Sequence, residues 1–185
     1  MFGTYLLKTS AQTAAAAAAG SAATATGTGS AWYRALRKPS IQPPAEVFPV
    51  VWTLLYADIA VTSAAVLTAL ERRTRPGLHR GSGQVRTIRP PRPGRTPSEA
   101  ARQHRGYRRA LALNLALNGG WSWVFFTKHD TALATATAAA LTVSSADLAR
   151  RAGRTTPVLG AALLPYAGWC AFATVLSARI HRLNA

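Results

Sequence analysis

The chain is poor in acids and nearly free of cysteine, and both shortages narrow what it can do. Only 6 of its 185 residues are Asp or Glu, against 22 Lys or Arg, and Cys170 is its single cysteine. One cysteine excludes an internal disulfide, and no Cys/His spacing suits a metal. His79, His104, His129 and His181 are scattered and read as solvent-exposed side chains. There are no paired carboxylates and no Ser/His/Asp set, so nothing here resembles a catalytic constellation. Charged residues make up only 15% of the chain, where a soluble domain would carry about a quarter. The formal charge of +16 therefore suits loops beside an anionic membrane surface better than a nucleic-acid partner.

Apolar stretches fill the space that charge leaves. Residues 47 to 70 carry a single charge, Asp58. At 1.5 Å per residue they make about 36 Å of helix, enough to cross a ~30 Å hydrocarbon core with some tilt. Further spans are expected at 107–127, at 131–149 and at 156–178, the last with Pro157 at its start and a kink near Pro165. Residues 11–29 are low-complexity Ala, Thr and Gly. They suit a weak transmembrane helix, a signal peptide or a flexible tail. With Lys8 the only early charge and no Leu-rich core, a weak first helix within residues 1–30 is favoured. The expected fold is thus all-α, a five-transmembrane-helix bundle. Residues 31–185 form its main membrane domain, interrupted by a basic Arg/Pro/Gly linker at 71–104 that is expected to be disordered. Five spans would place 16 basic residues on one side and 6 on the other. The positive-inside rule then predicts the N-terminus inside and the C-terminus outside.

Several side chains are unsuited to lipid. Asn114 and Asn118 lie four apart on one helical face, which Trp121 and Phe125 roughly continue. Such a face serves either as interhelical hydrogen-bonding glue or as a ligand wall. Asp58 is costly within a span: it either has a function or is protonated or bonded across the bundle. Trp32 and Tyr33 suit interfacial anchoring. Trp52, Tyr56 and Trp169 lie too deep for that role. Facing inward, they would wall a cavity for a large planar apolar molecule.

These motifs together resemble the TspO family of tryptophan-rich sensory and translocator proteins. Trp32-Tyr33-x-x-Leu36-x-Lys38-Pro39-x-x-x-Pro43-Pro44 is similar to the family's first loop. Phe48-x-x-Val51-Trp52-x-x-Leu55-Tyr56 resembles its second helix, and Leu117-Asn118-x-x-Trp121-Ser122-x-x-Phe125-Phe126 its third. Leu164-Pro165-Tyr166-x-x-Trp169-x-x-Phe172-Ala173-Thr174 and Arg182-Leu183-Asn184 resemble its fifth. The resemblance implies a five-helix bundle, commonly dimeric, whose pocket is closed by the first loop and takes porphyrins, haem precursors or other planar apolar ligands. Trp52, Asn118 and Trp169 would line that pocket. Trp32, Tyr33, Pro43 and Pro44 would form its lid, and Ala173 would face it from helix five. The chain departs from the family pattern at Asn114, where a glutamine is usual, and at Ile41, where a tryptophan is common. It also lacks a Tyr between Val175 and Arg182, which counts against sterol specificity.

The functional expectation is a membrane protein that binds a tetrapyrrole or other lipophilic ligand as sensor, regulator or transporter. The expected location is a bacterial cell membrane, with no resident cofactor. The alternative is a porphyrin-degrading enzyme that uses Trp52 and Trp169.

Overall fold

The computed structural model describes residues 1–74 and 97–185, and among them every regular element is helical. The chain runs α1 (Phe2–Gly27), α2 (Ala31–Ala35), α3 (Val47–Thr74), α4 (Pro97–Phe126), α5 (Thr131–Thr155), α6 (Pro157–Ala162) and α7 (Leu164–Asn184). Three helical stretches are long and apolar enough to cross a membrane: Val47–Thr74, Thr131–Thr155 and Pro157–Asn184.

α1 is one continuous helix in spite of its composition. Its threonines satisfy their own hydroxyls on carbonyls three or four residues back, as Thr13 does on Thr9 and Ser10. Thr9 also donates to the Ala60 carbonyl at 2.8 Å, which ties α1 to α3. Gly119 brings α4 close to Ala16 of α1, while its neighbour Gly120 faces open space. Of the basic linker expected over 71–104, residues 71–74 continue α3 and residues 97–104 open α4, ahead of the span expected from 107. Its central part lies outside the described residues. Alanine, glutamate, arginine and glutamine are good helix formers, and Ala100 is buried against the bundle, so α4 propagates through this polar stretch.

The fifth apolar stretch is broken. α6 starts with Pro157 at its N-terminus, and the α-helical ladder is interrupted at Leu163, whose N–H donates to the Gly160 carbonyl three residues back at 3.2 Å, before α7 begins with Pro165 in its first turn. Leu163 itself is fully buried. Proline lacks the N–H that would continue the α6 ladder, so the break falls where its ring is cheapest to place. α5, α6 and α7 pack as one unit, and α4 joins them to the α1–α3 pair.

The bundle has two unlike ends. One gathers α2, the loop that follows it, the end of α4, the start of α5 and the end of α7. The other gathers the end of α3, the starts of α1 and α4, and the end of α5.

Candidate functional site

The core of the site is a chain of hydrogen bonds through the middle of the bundle. Tyr56 of α3 donates its hydroxyl to Asn118 Oδ1 at 2.5 Å. Asn118 Nδ2 donates to Tyr166 Oη at 3.1 Å, and Tyr166 donates onward to Asn114 Oδ1 at 2.7 Å. Asn114 Nδ2 then reaches Ser144 and Ser145 of α5 at 3.2 and 3.0 Å. Four helices are thus joined by one polar thread. Asn114 is fully buried, and its amide spends both donor hydrogens and an acceptor inside the bundle. Asn118 keeps one donor hydrogen and one lone pair beyond its two bonds.

Tyr166 is the side chain that residue spacing did not single out. It has no solvent exposure and sits at the junction of both asparagines. The available signal was its place three residues before Trp169, one helical turn along the same face of α7.

Above this thread lies an aromatic cage. Trp52 meets Tyr56 at 5.6 Å between ring centroids, and meets Tyr166 and Trp169 edge-on at 6.5 Å each. Phe48 and Phe172 pack on Trp169 at 6.0 and 5.3 Å. The rings rest largely on one another, so a flat guest would enter by parting them, exchanging ring–ring for ring–guest contact. Ala173 is half-buried on α7, one residue beyond Phe172.

Trp32 and Tyr33, expected to belong to a lid, join a second cluster. Trp32 packs on Phe125 at 5.4 Å and stacks on the His129 ring at 4.2 Å. Tyr33 leans on Phe125 and Phe126, with Lys38 Nζ 4.0 Å above its own ring. Trp121 stacks on Phe125 in this cluster and does not reach the Asn118 thread. Pro43 is half-buried, whereas Pro44 is exposed and its carbonyl accepts from Val47 N, which launches α3. Of the histidines expected to be solvent-exposed, His129 is exposed, whereas His104 and His181 are half-buried. Besides the His129 stack, His104 Nε2 lies 2.9 Å from Tyr5 Oη and His181 Nδ1 lies 2.9 Å from Thr131 Oγ1. His79 lies outside the described residues. No cluster of three metal-ligating side chains occurs among the described residues.

Asn184 clamps the segment that follows α2. Its side chain accepts from Arg37 N at 2.9 Å and donates to Arg37 O at 3.0 Å, across 147 residues. Asn184→Ala removes both bonds at once. It is expected to raise amide hydrogen exchange across residues 36–40 with little change in the helices; unchanged exchange there would remove the clamp from the account.

Asp58 keeps to its own helix. Thr62 donates to its Oδ1 at 2.9 Å, and its Oδ2 is buried without a partner among the described residues. A concavity of about 410 Å³ lies elsewhere, along α1 and α4. Its lining is chiefly alanine and glycine with Gln12 and Trp123. It lacks the convergent aromatics and polar anchors of a ligand site, so the functional reading rests on the cage and thread.

The TspO/MBR family model matches residues 10–183. The chain is 25% identical over 153 residues to tryptophan-rich protein TspO of Bacillus cereus, covering 83% of this chain and 80% of that one. It is 24% identical over 153 residues to the uncharacterized membrane protein YtaB of Bacillus subtilis, with the same coverage. Protein CrtK of Rhodobacter capsulatus is 47% identical over a shorter stretch of 36 residues, 20% of this chain and 22% of that protein.

Proposed function

The chain belongs to the TspO/MBR family of membrane proteins, and on that premise we propose that it binds a tetrapyrrole, a porphyrin or haem precursor, between the lid and the asparagine thread. The carrying observation is the convergence of Trp52, Tyr56, Tyr166 and Trp169 on Asn118. Indole and phenol rings can stack on a planar macrocycle, while the spare capacity of Asn118 meets a polar edge. Arg34, Arg37 and Lys38 lie in and beside the lid and supply cations for carboxylate tails. On this reading the protein senses, sequesters or moves its guest, and the lid clamp at Asn184 governs entry.

Our reading includes five membrane crossings. α1, α3, α4, α5 and the α6–α7 pair alternate in direction between the two ends of the bundle. Basic residues are concentrated at the end opposite the lid. This supports a bacterial cell-membrane protein with the N-terminus inside and the lid and C-terminus outside. A tag after Ala185 is expected to be labelled by a membrane-impermeant reagent in intact cells; protection until lysis would reverse the orientation. The small residues Ala112, Ala116 and Gly120 lie four apart along the outer groove, a surface that favours close helix approach and supports the dimer of our reading.

Binding is favoured over turnover, because among the described residues no acid–base pair accompanies the two tryptophans. Purified protein mixed with protoporphyrin IX is expected to shift the porphyrin absorption band in the dark without forming new species. New bands that accumulate over several equivalents in the dark would favour the porphyrin-degrading enzyme.

A further inference from the structure

The end opposite the lid holds a second, smaller cavity. It measures about 40 Å³ and is lined by Leu70, Gln103, Tyr107, Arg151, Arg154 and Thr155. A cavity needs roughly 10–15 Å³ per water-sized occupant, so this one accepts a group of a few heavy atoms and excludes a macrocycle.

Its charge is unbalanced. Arg150 and Arg151 share a single acid, Asp147. Arg154, one turn beyond Arg151, has no acidic partner among the described residues. Arg73 comes in from α3 and donates to the Thr155 carbonyl at 2.9 Å. Two guanidinium groups of α5, those of Arg151 and Arg154, thus line one recess, and Arg73 of α3 reaches its edge at the Thr155 carbonyl. Arg151 is already aimed. Asp147 holds its Nε, and its Nη1 lies where a β-carbon on Gly106 would come within 3.2 Å. The bare glycine lets the guanidinium lie close against α4. Gln103 adds amide donors at the rim, and the Tyr107 hydroxyl is engaged with Ser63 at 3.1 Å. Planar guanidinium forks match tetrahedral oxyanions better than point charges do. The recess also lies at the ends of α3 and α5, the depth at which lipid headgroups lie beside a bundle.

We propose that this recess binds a phosphate group through Arg151 and Arg154, from either an anionic phospholipid headgroup or a free phosphate compound. The bound anion offsets the repulsion among the gathered arginines and pins α5 to α4 at the end where α3 stops and α4 begins. The proposal uses none of the residues of the lid-end site and stands independently of it.

The test uses the full-length protein in neutral detergent. Its thermal midpoint is followed against inorganic phosphate and, separately, against dioleoylphosphatidylglycerol in mixed micelles, with sodium chloride matching ionic strength. A saturable rise is expected with at least one probe. A rise with the lipid alone assigns a headgroup site, and a rise with inorganic phosphate assigns a free-phosphate site. Arg154→Gln breaks no bond among the described residues. It is expected to keep the unliganded midpoint and to weaken the response at least tenfold. Should that variant fail to fold, Gly106→Ala, which pushes Arg151 outward, is expected to weaken the response in the same sense. The absence of a saturable rise with both probes would overturn the proposal. So would a response unchanged in Arg154→Gln, or unchanged in Gly106→Ala where that variant stands in.

Discussion

Alanine at Gly160 is expected to destabilise the protein by about 3 kcal/mol or more, at the upper end of what one added methyl costs in a packed interior. A β-carbon there would lie 2.7 Å from Gly153 Cα, 2.9 Å from Gly153 N and 3.1 Å from the Ala149 carbonyl. All three obstacles are backbone of α5, so no side chain can rotate aside. α6 would have to lift from α5, and with it the fully buried Leu163 and, two residues into α7, Tyr166. The polar thread to Asn114 and Asn118 would open in consequence. Gly168 is the control: nothing lies within 4 Å of the place a β-carbon there would take. Gly168→Ala is expected to be neutral or slightly stabilising through helix propensity, by up to about 1 kcal/mol. The check is the thermal midpoint of both variants in the same detergent. A wild-type midpoint for Gly160→Ala would mean that the α5–α6 contact is not close.

Removing both indoles of the cage, Trp52→Ala with Trp169→Ala, is expected to weaken protoporphyrin IX binding by about 2 kcal/mol, close to 30-fold, at roughly 1 kcal/mol per stacking ring. The loss would be larger if the cage collapsed onto the space left behind. Because truncation also empties part of the core, Trp52→Phe with Trp169→Phe is the milder companion. It keeps two aromatic faces and is expected to lose well under tenfold. Equal affinity in wild type and a folded alanine pair would remove the cage from the site.

Much of this arrangement was legible from residue types alone. Asn114 and Asn118 share a face by spacing, and their unsuitability for lipid follows from their chemistry. The choice between glue and ligand wall was not legible, because it depends on partners distant in sequence. Asn114 is bonded to Ser144 and Ser145 of α5 and to Tyr166 of α7. Asn118, four residues on, faces the cage instead. The role of Tyr166 was hidden for the same reason: its partners, Asn114 and Asn118, lie about 50 residues away in sequence. Trp121 shows the limit of helical-wheel reasoning, since three residues from Asn118 was near enough in angle yet too far along the axis. It joined Phe125 and the lid. The break at Leu163 was announced by Pro165, whose missing N–H is a local property. The extension of α4 back to Pro97 was not announced, because hydropathy marks where a helix meets lipid and does not mark where it starts.

The most direct test of the central claim is a titration of the tryptophan fluorescence of the purified protein with protoporphyrin IX, in neutral detergent and in the dark. Trp32, Trp121 and Trp123 remain as reporters when the two cage indoles are removed. The account expects saturable quenching in the wild type and a curve shifted to about 30-fold higher porphyrin in the Trp52/Trp169 alanine pair. Quenching that never saturates, or that follows the same curve in both proteins, would contradict it.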